Sequence, residues 1–269
     1  MPYFYFCLVF LLSLSTNTLA QVDTVQTPSK KQVFNNTLAV GTNIAYLGID
    51  KQVGKEFSAE YSRKTGIGMF IGRLGYTERF GNKGTQMQAE YYPLLWKKAY
   101  AHLVFAYSPQ NAYPKIATGF TIIQSLKGGF EAELGTRFYQ SKQNENVVAL
   151  ILGANKYIGQ GLLMYKLWLV KTPTKNEQAH NLQMRYYGKD EKSYILGGLL
   201  LGNATQTNNG GQFAFDTPNN ITLSIQAGFS KHFAKRYNLS SLAFYEQTKY
   251  GNSNIIHRMG LNMRMAVSF

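Results

Sequence analysis

The chain has 269 residues, a formal net charge of +14 and a single cysteine, Cys7. One thiol excludes a disulfide framework and a cysteine-based metal site, and the basic excess favours anionic partners. No tight Lys/Arg block of the kind that marks nucleic-acid binding is present, so no nucleic-acid partner is expected.

In chain order, residues 4–14 form an apolar run that gives way to small and polar residues ending in Thr18-Leu19-Ala20. The run is shorter than the ~20 residues of a membrane-spanning helix. It reads as a secretory signal peptide over residues 1–20, cleaved before Gln21, although its start, "MPYFY", carries no Lys or Arg. Cys7 lies within it, so the exported chain is thiol-free. Residues 21–35 are polar and read as a flexible lead-in to one domain over 36–269.

That domain is a series of short alternating segments. In "TQMQAEYY", Thr85, Met87, Ala89 and Tyr91 oppose Gln86, Gln88, Glu90 and Tyr92. In "FEAELGTRFY", Phe130, Ala132, Leu134, Thr136 and Phe138 oppose Glu131, Glu133, Gly135, Arg137 and Tyr139. "ITLSIQAGF" repeats the pattern, and aromatic residues gather near segment ends in "YTERF", "EYYP", "RFY" and "RYY". A soluble sandwich also alternates. The connections favour a different architecture, because tight ones at "RKTG", "SLKGG", "IGQG" and "YGKDEK" interleave with longer polar ones. The longer ones fall at "FGNKG", "SPQNAYP", "QSKQNENV", "VKTPTKNEQ" and "LGNATQTNNGGQFAFDTPNN". Short turns on one side and longer loops on the other are the asymmetry of an outer-membrane barrel. The expected fold is all-β: a transmembrane, antiparallel, up-and-down β-barrel of about fourteen strands, with twelve as the alternative. The final "LNMRMAVSF" alternates to its last residue, and Met265, Val267 and Phe269 match a C-terminal barrel-assembly signal. A closed barrel gives such a strand a neighbour on both sides.

The stretch "GRLGYTERFGNKGTQMQAEYYPLLWKKAYAHLVFAYS", followed by "GGFEAELGTRFY" and "LILGANKYIG", resembles the YaiO family of outer-membrane β-barrel proteins over about residues 66–165. The matching positions are Arg73, Tyr76, Arg79, Phe80, Glu90, Tyr92, Pro93, Trp96, Tyr100, Gly129, Glu131, Arg137, Gly153, Lys156 and Tyr157. Ala154 and Asn155 stand as an insertion in the last motif. The resemblance implies fold and outer-membrane location, with no defined activity. Outer-membrane lipid, lipopolysaccharide and the barrel-assembly machinery are the partners it implies.

Alternation places Glu60, Glu90, Glu131, Glu133, Arg137 and Arg185 in the lumen, with Arg73 beside them. A lipid-facing Arg costs ~2–4 kcal/mol at the bilayer midplane, which favours the interior. Two readings stand: a Glu–Arg network that fills and stiffens the barrel, and a constriction that sorts solutes by charge. Catalysis would call on His102, His180, His232 or His257. His257 lies near Ser253 and Asn254, but no nucleophile motif surrounds it. No metal-ligand spacing and no nucleotide-binding context occur, so no cofactor is expected. The expectation is a non-enzymatic narrow conduit or binding scaffold for a small or linear anionic solute such as an envelope glycan. A lipid-modifying barrel enzyme and a purely structural or adhesive barrel are the alternatives.

Overall fold

The computed structural model describes residues 35–48, 52–79, 81–140, 146–173, 175–188, 190, 192–207, 215–250 and 254–269. The expected signal segment and residues 21–34 of the lead-in lie outside them. Fourteen strands follow in order: β1 (Asn36–Leu47), β2 (Gln52–Thr65), β3 (Gly68–Arg79), β4 (Asn82–Trp96), β5 (Ala99–Tyr107), β6 (Ile116–Ser125) and β7 (Phe130–Gln140). The second half comprises β8 (Asn146–Ile158), β9 (Gly161–Lys171), β10 (Asn176–Tyr187), β11 (Tyr194–Thr207), β12 (Phe215–Phe233), β13 (Tyr237–Tyr250) and β14 (Asn254–Ser268). Each pairs with its neighbours in sequence, and β14 closes on β1 to make a barrel.

The seam explains the regular C-terminus. Leu38 faces Val267, Val40 faces Met265 and Thr42 faces Met263 across an antiparallel ladder. The ladder ends in a reciprocal pair: the Asn36 amide donates to the Phe269 carbonyl at 3.1 Å, and the Phe269 amide donates back at 2.9 Å. Closure leaves no unpaired strand edge, so alternation can run to the last residue.

Alternation also sorts residues between two environments. In β4, Met87 is 64% exposed while its neighbours Gln86 and Gln88 are buried. In β7, Leu134 is exposed beside buried Glu133. Around the barrel the outer face carries Leu74, Phe105, Leu150, Met184 and Met263. In water so continuous an apolar surface would drive aggregation; against lipid it is the solvent-matched face. No helix among the described residues is long and apolar enough to cross a membrane.

The connections differ from the sequence reading in three places. "FGNKG" is no long loop, because β3 and β4 are separated by residues 80–81 alone. The polar stretch 201–220 is mostly strand, with β11 running to Thr207 and β12 starting at Phe215. The third is a tight turn at 97–98, where Lys98 adopts φ 66° without a glycine to signal it.

The segment 108–115, expected as an outer loop, folds inward. Ala112 and Tyr113 are buried. Ala112 packs so closely on the inner wall at Gly84 of β4 that a Cβ there would lie 2.8 Å from its own. The Tyr113 hydroxyl reaches Gly75 of β3. Gln110 fastens the segment, its Oε1 accepting from the Thr85 amide at 2.9 Å and the Thr85 hydroxyl at 3.0 Å. The long-loop end of the barrel is therefore narrowed by its own chain.

Candidate functional site

Inward parity and strand register together build a polar belt on the lumen wall. Glu60 of β2 faces Arg73 of β3, and Arg73 faces Gln88 of β4. The Arg73 guanidinium donates through Nε and Nη2 to Glu60 Oε2 at 3.0 and 2.8 Å, and through Nη1 to Glu90 Oε1 at 2.7 Å. Arg264 of β14 donates to the other Glu60 oxygen at 2.7 Å. Glu90 also accepts from Gln88 Nε2 and the Tyr92 hydroxyl, each at 2.6 Å. Buried charges persist only when paired and hydrogen-bonded, and this cluster satisfies that condition.

The belt continues through His102 of β5. Its ring stacks on Tyr92 with centroids 4.4 Å apart, and Nε2 lies 3.0 Å from Glu90 Oε2. Its Nδ1 lies 3.3 Å from Nη2 of Arg137 on β7. An arginine nitrogen can only donate, so Nδ1 is the acceptor and the Nε2 proton goes to Glu90. That fixes a neutral imidazole in one tautomer. Arg137 Nη1 donates to Thr121 Oγ1 at 2.9 Å and to the Thr136 carbonyl at 3.0 Å.

Glycines make room for these reaches. Gly119 faces Arg137 across the β6–β7 ladder, and a Cβ at Gly119 would fall 2.3 Å from Arg137 Cδ. Gly153 stands in one row between Glu133 of β7 and Lys166 of β9. With no side chain there, Lys166 Nζ bridges β8 to both Glu133 oxygens, at 2.9 and 2.8 Å.

Of the residues singled out in the sequence, Arg73, Glu90 and Arg137 thus lie in one connected chain, and Glu133 is held by Lys166. Glu131 is separate, accepting from Ser125 Oγ and Asn155 Nδ2 at 3.2 Å each. Arg185 is also apart, buried near the short-turn end with its guanidinium 5.1 Å from the Tyr194 ring centroid. Met265 and Phe269 are exposed on the outer face of β14, and Val267 between them is half-buried. Sequence reasoning weighed His102 only as a catalytic histidine and did not count His102, Lys166 or Arg264 among the lumen groups. Their signal was parity: His102 shares its side of β5 with Tyr100, Val104 and Ala106. Lys166 is the one charge inside the apolar "LLMYKLWLV".

His257 points outward, its Nδ1 2.7 Å from the Tyr245 hydroxyl, and His180 makes the same contact with Tyr165 at 2.8 Å. Both pairs sit toward the long-loop end of their strands, the place of an interfacial aromatic girdle.

Below the belt one wall carries an apolar patch, where Leu242 and Leu196 share a row across Gly228 of β12. Leu162 and Met164 of β9 and Leu196 of β11 form a buried apolar cluster, joined by Leu242 of β13, which neighbours neither strand. Tyr157, Tyr187 and Tyr194 pack around it.

A closed, fourteen-stranded antiparallel barrel with an apolar exterior and an ion-paired interior defines a membrane β-barrel protein. Residues 35–206 match the family model described as the YaiO membrane beta barrel domain, and the chain belongs to that family. No curated protein sequence matches it. Among solved structures it is similar to a bacterial polysaccharide outer membrane secretin (TM-score 0.54, 9% identity, 88% of this chain and 99% of that one). It is also similar to the CymD monoaromatic hydrocarbon channel (TM-score 0.56, 9% identity, 88% and 89% covered). A third is the Acinetobacter baumannii outer membrane protein Omp33 (TM-score 0.51, 9% identity, 88% and 99% covered). At these identities the likeness is one of fold.

Proposed function

We propose that this protein is a non-enzymatic barrel of the bacterial outer membrane that passes or holds a small or linear anionic solute, such as an acidic envelope glycan. One observation carries the reading. In each lumen-side ion pair the base is the more exposed partner: Lys166 28% against Glu133 6%, Arg73 8% against Glu90 4%, and Arg258 11% against Glu246 8%. The same order holds for Lys175 over Glu177 at the long-loop end. An interior balanced in charge then presents donors to a solute and keeps its carboxylates behind them. In a narrow, poorly hydrated lumen such groups act strongly on an ion. The infolded segment 108–115 favours a narrow path, or a held solute, over a wide pore. One structural neighbour, a bacterial polysaccharide outer membrane secretin, is in keeping with a glycan.

The test is conductance in planar bilayers under a salt gradient. Small unitary steps with a reversal potential on the anion side are expected, shifting toward zero in Arg137→Ala. Cation preference, or no conductance together with no solute binding, overturns the proposal. Lipid incubated with the protein is expected to yield no new product by mass spectrometry.

A further inference from the structure

We infer that Arg137 and Lys166, with His102 positioning Arg137, form a discrete oxyanion subsite on the β5–β9 wall, which takes the carboxylate or phosphate group of a solute. The inference rests on the anionic-solute reading and names the place where that solute is gripped. The decisive feature is Arg137. Arg73 and Arg264 reach Glu60, Arg73 also reaches Glu90, and Arg258 reaches Glu246. Arg137 has no such partner: among the described residues no carboxylate lies within ion-pair distance of it. Its hydrogen bonds go to the Thr121 hydroxyl, the Thr136 carbonyl and His102 Nδ1. These occupy Nη1 fully and one Nη2 hydrogen, leaving Nε–H and the second Nη2 hydrogen for a ligand. A half-buried guanidinium held by neutral acceptors alone forgoes the charge-assisted, bidentate bonds that guanidinium groups form best.

The surroundings are built to hold it so. Gly119 supplies the floor on which the side chain lies, since any Cβ there would overlap Arg137 Cδ, Nη1 and Nε. His102 is fixed as an acceptor by the Glu90 contact on its far nitrogen. Lys166, which reaches over Gly153 to Glu133, adds a second, partly exposed cation on the same wall, and its two bonds to Glu133 leave one ammonium hydrogen available. Glu90 and Glu133 are covered, Glu90 by Arg73, Gln88, Tyr92 and His102 and Glu133 by Lys166. Glu131 is occupied by Ser125 and Asn155. The subsite therefore offers donors to an oxyanion with little opposing charge in the open.

Histidine provides a local reporter. The chain has four, and His102 is the one in contact with Arg137. Full-length protein labelled at histidine Cε1 and folded in detergent micelles is titrated with D-glucuronate, with inorganic phosphate and with glucose. A saturable shift of the His102 resonance is expected with glucuronate, phosphate or both, and none with glucose; the two anion arms tell a sugar acid from a phosphate. Arg137→Gln weakens the response by at least about tenfold, as loss of a charge-assisted bond requires. Gly119→Ala does the same with no change of charge, by displacing the guanidinium, and it serves where Arg137→Gln fails to fold. No His102 shift with either anion, a response to glucose equal to that with glucuronate, or an undiminished response in folded Arg137→Gln or Gly119→Ala overturns the subsite. A saturable shift in a protein that conducts nothing keeps the subsite and discards passage. Anion-selective conductance without a shift discards the subsite alone.

Discussion

Replacing Arg73 with Met should destabilise the barrel more than any change at its surface. Arg73 bridges Glu60 and Glu90 at 2.7–3.0 Å, with side-chain exposures of 8% against 7% and 4%. At an effective dielectric of ~20, each pair at that distance attracts by roughly 5–6 kcal/mol before desolvation is subtracted. Removing one member of a buried pair costs about 3–5 kcal/mol, because the other charge stays behind. Here the stranded carboxylates are not bare: Glu60 keeps Arg264, and Glu90 keeps Gln88, Tyr92 and His102. The expected loss is therefore at the lower end, about 3 kcal/mol. Guanidinium unfolding from lipid vesicles, followed by Trp96 and Trp168 fluorescence and by the heat-dependent gel shift of a folded barrel, measures it. Lys83→Met is the control, since Lys83 and Glu78 pair in the open at 63% and 46% exposure and should contribute nothing measurable. If Arg73→Met is no more destabilising than Lys83→Met, the belt is hydrated and its pairs do not hold the barrel together.

Deleting Phe269 removes both seam bonds to Asn36 and should slow barrel assembly, read as accumulation of the unfolded gel band. Ala234 and Lys235 both adopt positive φ in the β12–β13 turn, so Ala234→Gly should raise unfolding stability by about 1 kcal/mol. In the turn at 188–193, partial burial raises the Asp190 pKa. The Ser193 hydroxyl, the backbone bonds to residues 192 and 193 and the nearby His232 outweigh it and hold that carboxyl below its usual value. The turn is then fully stabilised above the ordinary aspartate pKa of about 4 and loosens as pH falls through the lowered value. Amide exchange at Gly188 and Ser193 should show that dependence, and Asp190→Ala should abolish it. His257→Ala should leave phospholipid and lipopolysaccharide unmodified, as in the parent protein, since His257 is engaged by Tyr245 and faces outward.

The barrel was legible because lipid and lumen impose opposite demands on adjacent residues. Met87 between Gln86 and Gln88, or Leu134 beside Glu133, has no other simple reading once a lipid face is admitted. Legibility failed where that contrast fades. Within 201–220 apolar residues are few and keep no steady alternation, so the sequence pattern no longer marks the strands and the stretch reads as a loop. The 97–98 turn was missed because two lysines stand where a left-handed residue normally advertises itself as Gly or Asn. The inward fold of 108–115 rests on Gly75 and Gly84, in other strands, and no local pattern encodes that. Parity likewise put Glu133 and Arg137 on the inner wall but could not name their partners, because Lys166 meets Glu133 only through the β7–β8–β9 register.

That register also explains how a lumen wall can present cations without an excess of them inside. Lysine and arginine carry their charge on longer stems than glutamate, and on a concave wall a longer inward stem ends nearer the axis. A pair made across a strand then lays the base over the acid. Lys166 reaches over Gly153 to Glu133, and Arg264 spans β1 to Glu60 where the facing residues are Ala39 and Gly41. Small residues in the middle strand are what permit the overlay, since a larger side chain at Gly153 would strike Glu133. The +14 of the whole chain is therefore a poor guide to lumen selectivity. What an entering ion would meet is set by which partner of each pair lies on top, and by Arg137, which has no carboxylate within ion-pair distance among the described residues.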